Sequence, residues 1–160
     1  MDHIERRLKE LDYTDKDTPV KPEQLAKLDS LHFFGDEPVG HIVKLLVAVP
    51  QEKKVLGIGT GFGETARLLA HRRGCKVDAL GLQPDPREAG KGLTRRCGLD
   101  NQVTHLNGDF LELPVQHNEC DVVVGLLCFL HIGHWRQLFT RCFDSLKPSG
   151  LLYVDDFFPS

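Results

Sequence analysis

A chain of 160 residues with 41% apolar and 27% charged side chains has the size and make-up of one globular domain. Its formal net charge is -3, and the basic pairs Arg6-Arg7, Arg72-Arg73 and Arg95-Arg96 stand singly, so no electrostatic footprint for nucleic acid is present. The longest strongly apolar stretch, Val122 to Ile132, is too short to span a bilayer, and "MDHIERRLKELD" lacks the apolar heart of a signal peptide. A cytoplasmic protein with no membrane and no nucleic-acid partner is expected.

Ile4, Leu8 and Leu11 fall at helical spacing, after which "DYTDKDTPVKP" breaks the pattern with prolines and charges. Residues 1–22 therefore read as an N-terminal arm and residues 23–160 as the folded domain. Leu25, Leu28 and Leu31 fit a first helix, and Val39, Ile42, Val43, Leu45 and Leu46 a second that Pro50 stops.

From there strands and helices alternate. "KKVLGIG", "CKVDALGL", "VTHLNG", "CDVVVGLL" and "GLLYVDDFF" read as strands. Between them "GETARLLAHRRG", "DPREAGKGLTRRCG" and "HWRQLFTRCFDSLKP" read as helices. In the last of these Trp135, Leu138 and Phe143 are expected to face the sheet. Strands separated by such helices pair in parallel through right-handed crossovers, which predicts an α/β fold. The sheet should be doubly wound and Rossmann-like, with about five parallel strands and helices on both faces.

The cysteines at 75, 97, 120, 128 and 142 form no CxxC pair and are odd in number, so they read as buried small apolar residues. His131 and His134 lie three apart with no third ligand, and no metal site is expected.

Chemistry concentrates in "VLGIGTGFGETARLL", residues 55–69. Gly59, Gly61 and Gly63 follow the first strand, where such sheets receive ligands, and free N–H groups of the next helix point out of the same loop. A dinucleotide G-x-G-x-x-G would need glycine at Phe62 or at Glu64, so a nicotinamide site is disfavoured. The pattern that does fit is G-x-G-x-G.

With three further segments, that loop makes the chain resemble a class I S-adenosylmethionine-dependent methyltransferase. The resemblance is closest to the small-molecule branch of the phosphoethanolamine and sarcosine/dimethylglycine enzymes. The family patterns "LDxxHxxG", "VLDIGxGxGGxARxLA", "GDFLELPxxxNxxDxxxxxxxxLHI" and "LKPxGxLxxxD" are met in order. Here they read "LDSLHFFG" (28–35), "VLGIGTGFGETARLLA" (55–70), "GDFLELPVQHNECDVVVGLLCFLHI" (108–132) and "LKPSGLLYVDD" (146–156).

The resemblance implies S-adenosylmethionine as cofactor and a small-molecule methyl acceptor such as an amine. It places Gly59, Thr60 and Gly61 at the amino-acid end and ribose of the cofactor, and Asp109 and Phe110 beside the adenine. His131 matches a histidine near the acceptor, and Tyr13 is a candidate partner for it. Plainer readings stand beside these: Asp109 as a cap for the turn through "FLEL", His131 as a packing residue, Tyr13 as a loop residue.

Departures from the family are as informative. A carboxylate usual at the end of the first strand is replaced by Gly57, the ribose-clamping acid after the second by Gly81, and a polar position after the fourth by Leu127. Gln83 is left as a substitute for the ribose clamp. Degenerate carboxylates open a second reading, a catalytically inactive methyltransferase-fold protein serving as regulatory or scaffolding partner. The family sheet also carries two more strands beside the fifth, so an edge after strand five is expected, covered by a homo- or hetero-oligomeric partner or marking a short form.

Overall fold

The computed structural model describes residues 18–29, 37–47 and 53–157, together with Arg6 and Lys9. Tyr13 and most of the expected arm lie outside the described residues. Helix α1 (Pro22–Asp29) and helix α2 (Glu37–Val47) precede strand β1 (Lys54–Ile58). Helix α3 (Glu64–Arg73), strand β2 (Lys76–Gly81), helix α4 (Pro84–Arg96) and strand β3 (Val103–Asn107) follow. Strand β4 (Cys120–Leu126), a 3-10 turn (Phe129–His131), helix α5 (Trp135–Ser145) and strand β5 (Leu146–Asp155) complete the order.

The five strands form one parallel sheet in the order β3-β2-β1-β4-β5, so the doubly wound α/β expectation holds. Val55 of β1 pairs with Val77 on one side and Val122 on the other, which makes β1 central and explains why Val55 to Ile58 are buried throughout. Growth of the sheet reverses between β1 and β4. The loops after these two strands diverge there, opening a crevice at their carboxyl ends.

Strand alternation divides the core. Val55, Val77, Val122 and Val124 pack with Ile42 and Leu46 of α2 and Leu68 and Leu69 of α3. Leu56, Ile58, Leu80 and Val123 pack with Leu138 and Cys142 of α5 on the opposite face. Each such buried side chain contributes about 1.5 to 3 kcal/mol, before the entropy of ordering it is subtracted.

Helix α5 presents only part of the expected face, Leu138. Leu138 and Cys142 are fully buried, whereas Phe143 is 63% and Trp135 37% exposed. Four residues from Leu138 brings Cys142 back to the same side of the helix, while Phe143 is carried another 100° round. Strand β5 likewise begins at Leu146, four residues ahead of the expected Gly150. Its register breaks between Cys120↔Leu146 and Val122↔Leu151, with Ser149 at φ 66, so the segment holding Pro148 is a bulge on an edge strand, where a missing N–H is tolerated.

Residues 18–20 are docked on α4: the Val20 N–H donates to the Arg96 carbonyl (2.9 Å), and Arg96 Nε donates to the Thr18 carbonyl (3.1 Å). Ion pairs of Lys53, Lys54 and Lys147 with Asp78, Glu119 and Asp121 gather at the amino ends of the strands. The carboxyl ends are left for the crevice. Among the described residues no helix is long and apolar enough to cross a membrane.

Candidate functional site

The bend after β1 is built by three glycines in the left-handed region, Gly59 (φ 70), Gly61 (φ 51) and Gly63 (φ 82), with α3 starting at the next residue. Side chains rarely adopt this backbone, and here space forbids them too: a Cβ on Gly59 would lie 2.4 Å from the Cβ of Cys128. Behind the loop, Arg67 of α3 is fully buried and its Nη1 donates to the Phe62 carbonyl (2.6 Å), fixing the direction of that peptide.

Above the loop lies a cleft of about 650 Å³. Gly59, Gly61, Gln83, Asp109, Phe110 and His131 all border it. Its volume is in the range of small-ligand sites. Gly57 and Thr60 do not border the cleft. They line a smaller inner cavity of about 120 Å³ between the loop, α3 and the sheet, which shares Ile58, Gly59, Gly61 and Leu127 with the cleft. The methyl of Thr60 stands 2.6 Å from where a Cβ on Gly57 would be, and its hydroxyl donates to the Leu80 carbonyl (3.3 Å). Gly81 differs, because a Cβ there would have no neighbour nearer than the Gln83 carbonyl at 4.0 Å.

The opposite wall comes from the turn after β3. Asp109 does cap that turn: its Oδ1 accepts from the Leu111 N–H at 2.8 Å, and its carbonyl accepts from the N–H groups of Glu112 and Leu113. The same residue remains exposed at the cleft's rim. Phe110 is buried beneath it with the Arg141 guanidinium 5.4 Å from its ring centroid. Arg141 also donates to the carbonyls of Phe110 (2.6 Å) and Leu113, so helix α5 holds the turn. Asn107 Nδ2 donates to the carbonyls of Gly81 (3.0 Å) and Leu82 (2.9 Å), tying β3 to β2 at the cleft's edge.

His131 ends the 3-10 turn after β4 with an exposed side chain. That turn is suspended at both ends. The Cys128 thiol, pushed up to about 12 by burial, stays protonated and donates to the Ile58 carbonyl at 3.1 Å. The Leu127 N–H, on a residue with φ 51, donates to the Asp155 carbonyl (2.9 Å), and the Leu130 N–H to Asp156 Oδ2 (3.1 Å). A leucine in the left-handed region is backbone strain, and it lies at the border of the cleft.

A methyltransferase domain model matches residues 55–150, more than half of the chain, from β1 into the first half of β5. The chain belongs to the methyltransferase-domain family. It is 34% identical over 110 residues to a glycine/sarcosine/dimethylglycine N-methyltransferase of Actinopolyspora halophila, covering 69% of this chain and 20% of that protein. A sarcosine/dimethylglycine N-methyltransferase of Halorhodospira halochloris is 35% identical over 102 residues, covering 64% and 37%. The methyltransferase-domain chain thus spans between about a fifth and two fifths of the length of these relatives. Its backbone also superposes on a phosphoethanolamine N-methyltransferase 2 of Haemonchus contortus with a TM-score of 0.69 at 23% identity, over 94% of this chain and 35% of that one. That enzyme was solved with phosphomonomethylethanolamine and S-adenosylhomocysteine, and the likeness is one of fold.

Sequence reasoning missed Cys128, Arg141 and Asn107 as supports of the site. Asn107 carried a readable signal, a polar residue at a strand's carboxyl end. Arg141 carried none, since a charged residue on an amphipathic helix reads as solvated.

Proposed function

We propose that this domain is an S-adenosylmethionine-dependent methyltransferase acting on a small-molecule acceptor, an amine above all, in the cytoplasm. The observation that carries the reading is the left-handed glycine bend at the sheet's reversal point, facing Asp109 and Phe110 across a cleft of about 650 Å³. The residues present fit the cofactor. Glycines at 59 and 61 let a ligand approach the backbone, Phe110 offers an apolar ring edge for an adenine, and Asp109 keeps carboxylate capacity beyond its single bond to Leu111. Gly81 leaves open space where a ribose would lie, and Gln83 borders the cleft on the same loop.

When bound, the cofactor's sulfonium supplies a methyl group activated for displacement. What the chain contributes is placement: two reactants held in line in one cleft lose the entropic barrier of meeting. His131, an exposed side chain bordering the cleft, orients an incoming amine and takes the proton it sheds.

Calorimetric titration with S-adenosylmethionine and S-adenosylhomocysteine tests the reading. Binding tighter than about 100 µM supports it; silence at millimolar ligand overturns it and leaves the non-catalytic reading. Transfer to sarcosine, dimethylglycine and phosphoethanolamine, the amines named by the similar proteins, is the matching activity assay.

A further inference from the structure

Three polar side chains meet behind the glycine bend. Arg67 of α3, Thr94 of α4 and His105 of β3 are each at most 7% exposed, and none of them lines the cleft. Arg67 Nη1 donates to the Phe62 carbonyl (2.6 Å) and, at longer range, to Thr94 Oγ1 (3.4 Å). Thr94 Oγ1 in turn lies 2.7 Å from His105 Nε2. Because a guanidinium only donates, Thr94 accepts from Arg67 and gives its own proton to His105, whose ring then carries a proton on Nδ1. Burial, followed by the charges of Arg67, Lys91 and Arg87, lowers that ring to about 4, so it is a neutral acceptor at neutral pH.

Gly90 supplies an independent observation. It stands in the interior of α4, where glycine weakens a helix. Space explains its presence: a Cβ there would lie 2.6 Å from the Phe62 carbonyl oxygen and 2.7 Å from His105 Cε1. Gly92, in the same helix, has no such neighbour within 4 Å. On its other side the His105 ring abuts the bend itself, 2.5 Å from where a Cβ on Gly63 would be. The peptide between Phe62 and Gly63 is thus set from three elements at once, by a donor from α3, a bare stretch of α4 and a ring from β3.

We propose that Thr94 and His105 are positioning residues for the methyl-donor site: they hold Arg67 on the Phe62 carbonyl, and so keep the glycine bend in the one setting that receives the cofactor. This rests on the methyl-donor reading above. A guanidinium deprived of its second acceptor turns elsewhere, and the peptide it held is then free to tilt beneath the ligand.

The test is titration calorimetry of the full chain with S-adenosylhomocysteine, run well below the melting temperature of each variant. Thr94→Val keeps the shape and removes the hydroxyl. It is expected to weaken the ligand about threefold or more, while Thr94→Ser, which keeps the hydroxyl, binds closer to wild type. A smaller loss in folded Thr94→Val overturns the proposal, and so does a serine variant that binds no better than the valine one. Gly90→Ala pushes on the Phe62 carbonyl and should also weaken the ligand about threefold or more, whereas Gly92→Ala should not; equal affinities overturn the proposal. Residues that only support the fold would lower the melting temperature and leave these affinities unchanged. On the wild-type chain, saturating S-adenosylhomocysteine must shift the nitrogen resonances of the His105 ring. Unmoved resonances overturn the proposal even where no variant folds. No binding by the wild type removes the methyl-donor reading itself, and this proposal with it.

Discussion

The methyl of Thr60 occupies the space that a side chain on Gly57 would need, 2.6 Å from the position of its Cβ. Gly57→Asp alone must rotate Thr60 off its bond to the Leu80 carbonyl, at a cost of about 1 kcal/mol. Thr60→Ser removes the methyl and keeps the hydroxyl. The double variant is therefore expected to be more stable than the sum of the singles by about that amount, read as a coupling energy from urea unfolding. Additive singles would show that the methyl yields without cost.

Gly81 is the contrasting case. With no neighbour nearer than 4.0 Å, Gly81→Asp is accommodated without repacking. An added carboxylate at the ribose position should tighten S-adenosylhomocysteine about tenfold or more at neutral pH. An unchanged dissociation constant in a folded variant would remove the ribose from this part of the cleft.

Protonation of His105 gives the domain an acid limit. Its ring is buried between Gly63 and Gly90, with Nε2 2.7 Å from Thr94 Oγ1, and burial followed by the charges of Arg67, Lys91 and Arg87 lowers it to about 4. The unfolded chain takes up this proton near pH 6.5 and the native chain does not. Stability is therefore complete above pH 6.5, falls as pH drops toward 4 and levels off below, for a total of at most about 3 kcal/mol. Urea midpoints at pH 7.5 and 4.5 should converge in His105→Asn relative to wild type; parallel losses would assign the acid sensitivity elsewhere.

Arg141→Met keeps the side chain's bulk but deprives the Phe110 and Leu113 carbonyls of their charged donors. A loss of about 1 to 3 kcal/mol is expected in urea unfolding. Arg141→Lys, lacking the planar fork, should recover only part of it. Full recovery by lysine would mean that charge alone holds the turn.

The sheet and its helices were legible because β-branched runs alternate with segments bounded by Gly63 and Gly74, residues that start and stop a helix by backbone conformation. Pro148, Ser149 and Gly150 have the composition of a loop, and only pairing with β4 reveals them as a bulge inside β5. The glycine bend was visible as local spacing. Its supports were not: Cys128 meets the Ile58 carbonyl across 70 residues of chain and Arg141 meets the Phe110 carbonyl across 31, distances over which periodicity carries no information. The capping and ligand-facing readings of Asp109 are not exclusive, because one carboxylate oxygen closes the turn and the residue still lies at the rim.

The turn bearing His131 is strung between the central strand, through Cys128, and the far end of β5, through Asp155 and Asp156. Slack at either mooring is felt at the other. A tug on the sheet's outermost strand thus reaches the glycine bend along this short span, without crossing the rungs between β4 and β1.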